Sequence, residues 1–123
     1  MTGLKYRAAF LALAEREDQS LVPFYQELLG QAPAQLIPGK YAEFELPGLR
    51  LGIFKPKTTH QPEFIHPSSG SMSLCLEVDD LEAAIAHLTA LGCPPPGEPI
   101  ATSHGREIYA YDPAGNRLIL HQA

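Results

Sequence analysis

The chain has 123 residues, 45% of them hydrophobic, and a formal charge of -5. That is enough for one domain burying about two-thirds of its unfolded surface with no disulfide or metal staple. The acidic balance leaves no basic stripe for a phosphate backbone, which argues against nucleic acid, and no apolar run reaches the roughly 18 residues of a membrane span.

Residues 1–7 lack the continuous apolar core of a secretion signal. Cys75 and Cys93 match no zinc, redox or disulfide spacing. The expectation is a cytoplasmic protein with two reduced thiols and no membrane partner. Net acidity favours a neutral or cationic ligand.

In chain order, residues 6–14 form an alanine-rich apolar run that its neighbours cast as a strand. Residues 20–30 carry a serine or aspartate cap, Pro23 in the first turn, apolar residues at helical spacing and a closing Gly30, which predicts the first helix. Three short strands follow at 34–37, 41–46 and 50–55, divided by Pro38-Gly39 and Pro47-Gly48. Residues 56–71 show neither period and read as a linker. A strand at 71–78 precedes a helix at 80–91, with Leu81, Ala84, Ile85, Leu88 and Leu91 on one stripe and Gly92 at its end. Strands at 98–102, 107–111 and 117–121 complete the chain, the last after the turn Asp112-Pro113-Ala114-Gly115-Asn116.

Each half thus runs strand, helix, strand, strand, strand, an internal repeat of about 65 residues. Residues 8–13 lie over 73–78, Leu28-Leu29-Gly30 over Ala90-Leu91-Gly92, and residues 50–54 over 117–121. The organisation is one domain: unit one at about 5–56, a linker at about 57–70 and unit two at about 71–123.

The doubled βαβββ unit, with Phe24-Tyr25-x-x-Leu28-Leu29-Gly30 closing the first helix and Asp112-Pro113-x-Gly115-Asn116 before the last strand, resembles the glyoxalase/bleomycin-resistance/dioxygenase group, the vicinal oxygen chelate superfamily. The likeness runs from Tyr6 to Gln122. It implies an α+β fold in which two tandem units form a curled mixed sheet around a cleft, and a homodimer. It also implies a divalent metal held by His, Gln or Glu at the start of each unit's first strand and the middle of its last.

Those positions fall on Ala8, Gly52, Ser73 and Ile119. Hydrocarbon and hydrogen offer no lone pair, and an unactivated serine hydroxyl is a poor ligand for zinc, iron, nickel or manganese. A slip of one residue brings Arg7, Ala9, Leu118 or Leu120 and no donor. The expectation is therefore no metal and no cofactor. Fosfomycin-resistance, glyoxalase and dioxygenase activities, which the resemblance ties to those ligands, are disfavoured.

Strand alternation puts Ser73, Cys75 and Glu77 on the cleft face, with Ala8, Phe10 and Ala12 in unit one and His121 beside Ile119. With Gly52 and Tyr109 these make a small, largely apolar pocket for an organic molecule. His121 reads as a base or as a solvated terminal residue, Glu77 as a pocket acid or a solvated strand end, and Tyr109 and Tyr111 as stacking or core residues. Arg106 reads as a carboxylate anchor or a solvated loop cation. His60, His66 and His104 have no metal spacing, and neither Ser20 nor Ser71 sits in a nucleophile motif. The functional expectation is a metal-independent small-molecule binding or sequestering protein resembling the bleomycin-resistance branch. The rival is a lyase or isomerase, or a dioxygenase-related enzyme, of the same superfamily, working without metal through His121, Glu77 or a tyrosine or recruiting metal through atypical ligands.

Overall fold

The computed structural model describes residues 3–65 and 70–123. The elements run β1 (Leu11–Ala14), α1 (Leu21–Leu29), β2 (Gln35–Ile37), β3 (Tyr41–Leu46), β4 (Leu49–Phe54), a 3-10 segment (Thr58–Phe64), β5 (Leu74–Glu77), α2 (Leu81–Ala90), β6 (Ile100–Thr102), β7 (Gly105–Tyr111) and β8 (Arg117–Gln122). The architecture is α+β, two βαβββ units in tandem.

The helices start where side chains take up their first amides. Asp80 accepts from the Ala83 N–H at 3.0 Å, an ordinary N-cap. Ser20 makes no such bond in α1. Its place is taken by Glu15, whose carboxylate accepts from the N–H groups of Leu21 at 2.9 Å and Val22 at 3.1 Å. That negative charge also suits the positive end of the helix.

Hydrogen bonding divides the strands into two four-stranded sheets, ordered β1-β4-β3-β2 and β5-β8-β7-β6. Within each, the first strand runs parallel to the last and the remaining neighbours are antiparallel. The period of two then sorts the faces. Ala42, Phe44, Leu51 and Ile53 of one sheet, and Leu74, Ile108, Ala110, Leu118 and Leu120 of the other, join Leu21, Phe24, Tyr25, Leu81 and Leu88 of the helices in one hydrophobic core. The intervening residues point to the opposite, open face of each sheet.

The two motifs that marked the family resemblance meet in space. The buried Tyr25 hydroxyl donates to Asp112 at 2.6 Å, across 87 positions of sequence. Asp112 also accepts from the N–H groups of Ala114 and Asn116 and from the Asn116 amide, each within 2.9 Å. Burial, then the nearby Asp112 charge, pushes the Tyr25 phenol far above its ordinary range. Arg16 donates to the Pro113 carbonyl, and a ring nitrogen of His87 lies 2.8 Å from the Glu27 carbonyl. Unit one is thereby fastened to the last turn and the helix of unit two.

Three expectations change. The first strand starts at Leu11, so Ala8 precedes it, because residues 6–10 pair with no neighbouring strand. The linker contains a 3-10 segment, whose eclipsed i, i+3 geometry gives neither of the periods sought; His66 lies outside the described residues. The repeat overlay shifts by two in the first strand: Gly52 pairs with Ala12 and Ile119 with Cys75, making Ala12 the counterpart of Cys75. An even shift leaves every face assignment intact.

Candidate functional site: two open sheet faces

On the second sheet the register aligns Cys75, Ile119 and Tyr109 in one row, and Glu77, His121 and Glu107 in the next. Ser73 stands just before β5, where its hydroxyl accepts from Arg117 at 3.1 Å. His121 Nδ1 lies 2.8 Å from a Glu77 oxygen; the imidazole side chain is 19% exposed and the carboxylate 75%. The terminal-histidine reading therefore gives way to a half-buried ring held by an acid, with Nε2 as the nitrogen left for other contacts.

On the first sheet one row holds Ala12, Gly52 and Glu43, flanked by Arg50 with Glu45 on one side, where the Phe10 ring lies against Arg50, and by Phe54 with Tyr41 on the other. The Tyr41 hydroxyl donates to Glu43 at 2.7 Å, which raises the phenol's pKa. A Cβ on Gly52 would stand 2.9 Å from that hydroxyl, so the missing side chain is what lets the tyrosine lie across β4. Arg50 sits 5.1 Å above the Phe10 ring and 3.8 Å from Glu43, whose side chain is only 7% exposed.

The structure brings Phe10 and Gly52 onto the first open face and Cys75, Glu77, Tyr109, Ile119 and His121 onto the second, with Ser73 at its margin. Ala8 joins neither sheet. Arg106 belongs to the opposite face, where its guanidinium donates twice to Glu82 of α2, both bonds at 2.8 Å. Sequence reading passed over Tyr41, Glu43 and Arg50. Their signal was the alternation in Tyr41-Ala42-Glu43-Phe44-Glu45, where Ala42 and Phe44 mark the core face and the other three the open one.

The positions beside β1 and β5 do not suit a chelated divalent metal. Gly52, Ile119 and Ala8, or Phe10 once the first strand is shifted by two, bring no donor, and Ser73 brings one hydroxyl that already accepts from Arg117. Among the described residues no three His, Cys, Asp or Glu side chains are grouped to hold a metal ion.

Two βαβββ units, each presenting an open sheet face, define a glyoxalase-like fold. The family model described as Glyoxalase/Bleomycin resistance protein/Dioxygenase superfamily matches residues 7–120, and the chain belongs to that superfamily. No curated protein matches the sequence. Among solved structures, a glyoxalase-related enzyme from Fulvimarina pelagi is 22% identical with a TM-score of 0.74, covering 95% of this chain and 88% of its own. A lactoylglutathione lyase from Agrobacterium tumefaciens is 22% identical at TM-score 0.67, covering 97% and 96%. The fosfomycin resistance protein FosX from Mesorhizobium loti is 14% identical at 0.68, covering 98% and 94%. At these identities the likeness is one of fold.

Proposed function

We propose that this superfamily member is a cytoplasmic binding or sequestering protein that takes an organic cation into a metal-free cleft, as in the bleomycin-resistance branch. The observation that carries the reading is the content of the two open faces: aromatic rings and carboxylates at other positions, and no chelating set at Ala8, Gly52, Ser73 and Ile119, where the family resemblance puts the metal ligands. Phe10 and Tyr109 remain 48% and 44% exposed, Phe10 even with Arg50 over its ring. By register the faces carry Glu43, Glu45, Glu77 and Glu107 against Arg50 and Arg117, with His121 as the one imidazole. Aromatic rings with a surplus of carboxylate suit a flat cation.

Because each face is open, a second copy of the chain completes the cleft, and the working form is a homodimer. Cys75 and Cys93 are both free thiols, in keeping with a reducing compartment. No helix among the described residues is long and apolar enough to cross a membrane.

Ethidium, a planar aromatic cation with a fluorescence readout, tests the reading. Saturable binding that weakens in Tyr109→Ala and in Glu77→Gln is the expected result. Binding unaffected by both changes, or none at all, contradicts it.

A second reading is favoured by one contact, His121 on Glu77. A carboxylate on Nδ1 fixes the tautomer and leaves Nε2 as a base, the arrangement of a lyase or isomerase that moves a proton without metal. Turnover of a carbon acid abolished by His121→Gln, with ethidium affinity retained, would select it.

A further inference from the structure

Away from the open faces, a cavity of about 230 Å³ lies between the first turn of α1, the β2–β3 hairpin and the end of β4. Its apolar wall is built by Val22, Pro23, Leu36 and Ile53. Leu36 and Ile37 are 55% and 54% exposed, so the chain leaves apolar surface uncovered at the rim.

The charged lining consists of Glu15, Arg16, Glu17, Lys40 and Lys55. Two of these are already committed. Glu15 accepts from the backbone N–H groups of Arg16, Leu21 and Val22. Arg16 donates to the Pro113 carbonyl and lies 3.8 Å from Asp18.

Lys40 and Lys55 are brought together by the backbone bond from the Lys55 N–H to the Lys40 carbonyl, at 2.9 Å. Among the described residues neither ammonium has a carboxylate within 4.0 Å, and Glu17 has no cation. Two uncommitted cations then face one uncommitted anion, a local reversal of sign in a chain of net charge -5.

We propose that this cavity is a second binding site, for a small amphipathic carboxylate. Its hydrocarbon body lies among Val22, Pro23, Leu36 and Ile53, and its oxygens meet Lys40 and Lys55. The volume falls below the roughly 300 Å³ at which drug-sized pockets begin, which selects a single ring or a short alkyl chain. Charge and shape are both needed: a bare anion leaves the apolar wall wet, and a neutral hydrocarbon leaves the two lysines as they were.

The test is an NMR titration of the isotope-labelled full chain with benzoate and octanoate, using benzyl alcohol and octylamine as uncharged and cationic controls. Saturable shifts on the amides of Val22, Leu36, Lys40 and Ile53 are expected with both carboxylates. Benzyl alcohol and octylamine should bind about tenfold more weakly or worse, the loss of a charge-assisted hydrogen bond. K40A/K55A should lose a similar factor for benzoate and none for benzyl alcohol. Both side chains are exposed, so the double variant keeps the fold, and its circular dichroism should match the parent. No saturable shift with either carboxylate, equal affinity for benzyl alcohol, an indifferent double variant, or shifts confined to the open faces would each overturn the site.

Discussion

At the scale of single residues, the side chains that matter most are polar groups placed where burial makes them costly to disturb. Tyr25→Phe keeps the ring in the core but removes a donor from buried Asp112, and should destabilise the fold by about 1–3 kcal/mol in urea unfolding. Tyr25 also gives a pH signature. Its phenol is raised above the unfolded value of 10.0, so the neutral form is favoured in the fold. That contribution is complete below pH 10 and is lost as pH rises further, because the unfolded chain releases the proton first. Unfolding free energy should therefore fall more steeply above pH 10 in the parent than in Tyr25→Phe; parallel curves would contradict the buried phenol. Gly52 and Tyr41 form a second test. Gly52→Ala sets a Cβ 2.9 Å from the Tyr41 hydroxyl, which must swing from Glu43 at a cost of about 1 kcal/mol. Tyr41→Phe removes the same bond, so the double variant should cost less than the two single changes added together.

At the scale of elements, β8 states the logic of the fold most compactly. Leu118 and Leu120 are 0% and 1% exposed, and Ile119 between them looks out over the open face. Leu120→Ala should cost about 2–5 kcal/mol, and Ile119→Ala clearly less when measured on the monomer at high dilution. Equal costs would mean the alternation is wrong. Such alternation made β3 legible in the sequence, β8 was marked by the 112–116 turn ahead of its apolar run, and Pro23, Gly30, Asp80 and Gly92 punctuate the helices. The face assignment outlasted a two-residue error in β1 because side-chain direction repeats every two residues. The error arose where alanine fills the run, since a small apolar side chain marks neither face. The 3-10 segment was illegible for a related reason, having no amphipathic period of its own. Glu43 escaped notice because a carboxylate in an alternating strand reads as solvated until the neighbours covering it, here Tyr41 and Arg50, are known. The Tyr25 to Asp112 bond was out of reach because both motifs were legible and their meeting was not.

At the scale of the whole molecule, two units share one core and turn their open faces outward, each with rings and carboxylates in view. If the proposed pairing with a second copy covers these faces, sedimentation should give twice the chain mass. Tyr109→Glu should shift that equilibrium toward monomer without changing the far-ultraviolet dichroism. The central claim is that the cleft so formed hosts an organic cation and has no metal in its chemistry. The most direct measurement is metal content by mass spectrometry, on protein purified without chelator, exposed in turn to nickel, zinc, manganese and iron, and desalted. The account predicts far less than one ion per chain in every case, with ethidium affinity unchanged by the exposure. One tightly held ion per chain, lost on replacing Cys75 or His121, would contradict it.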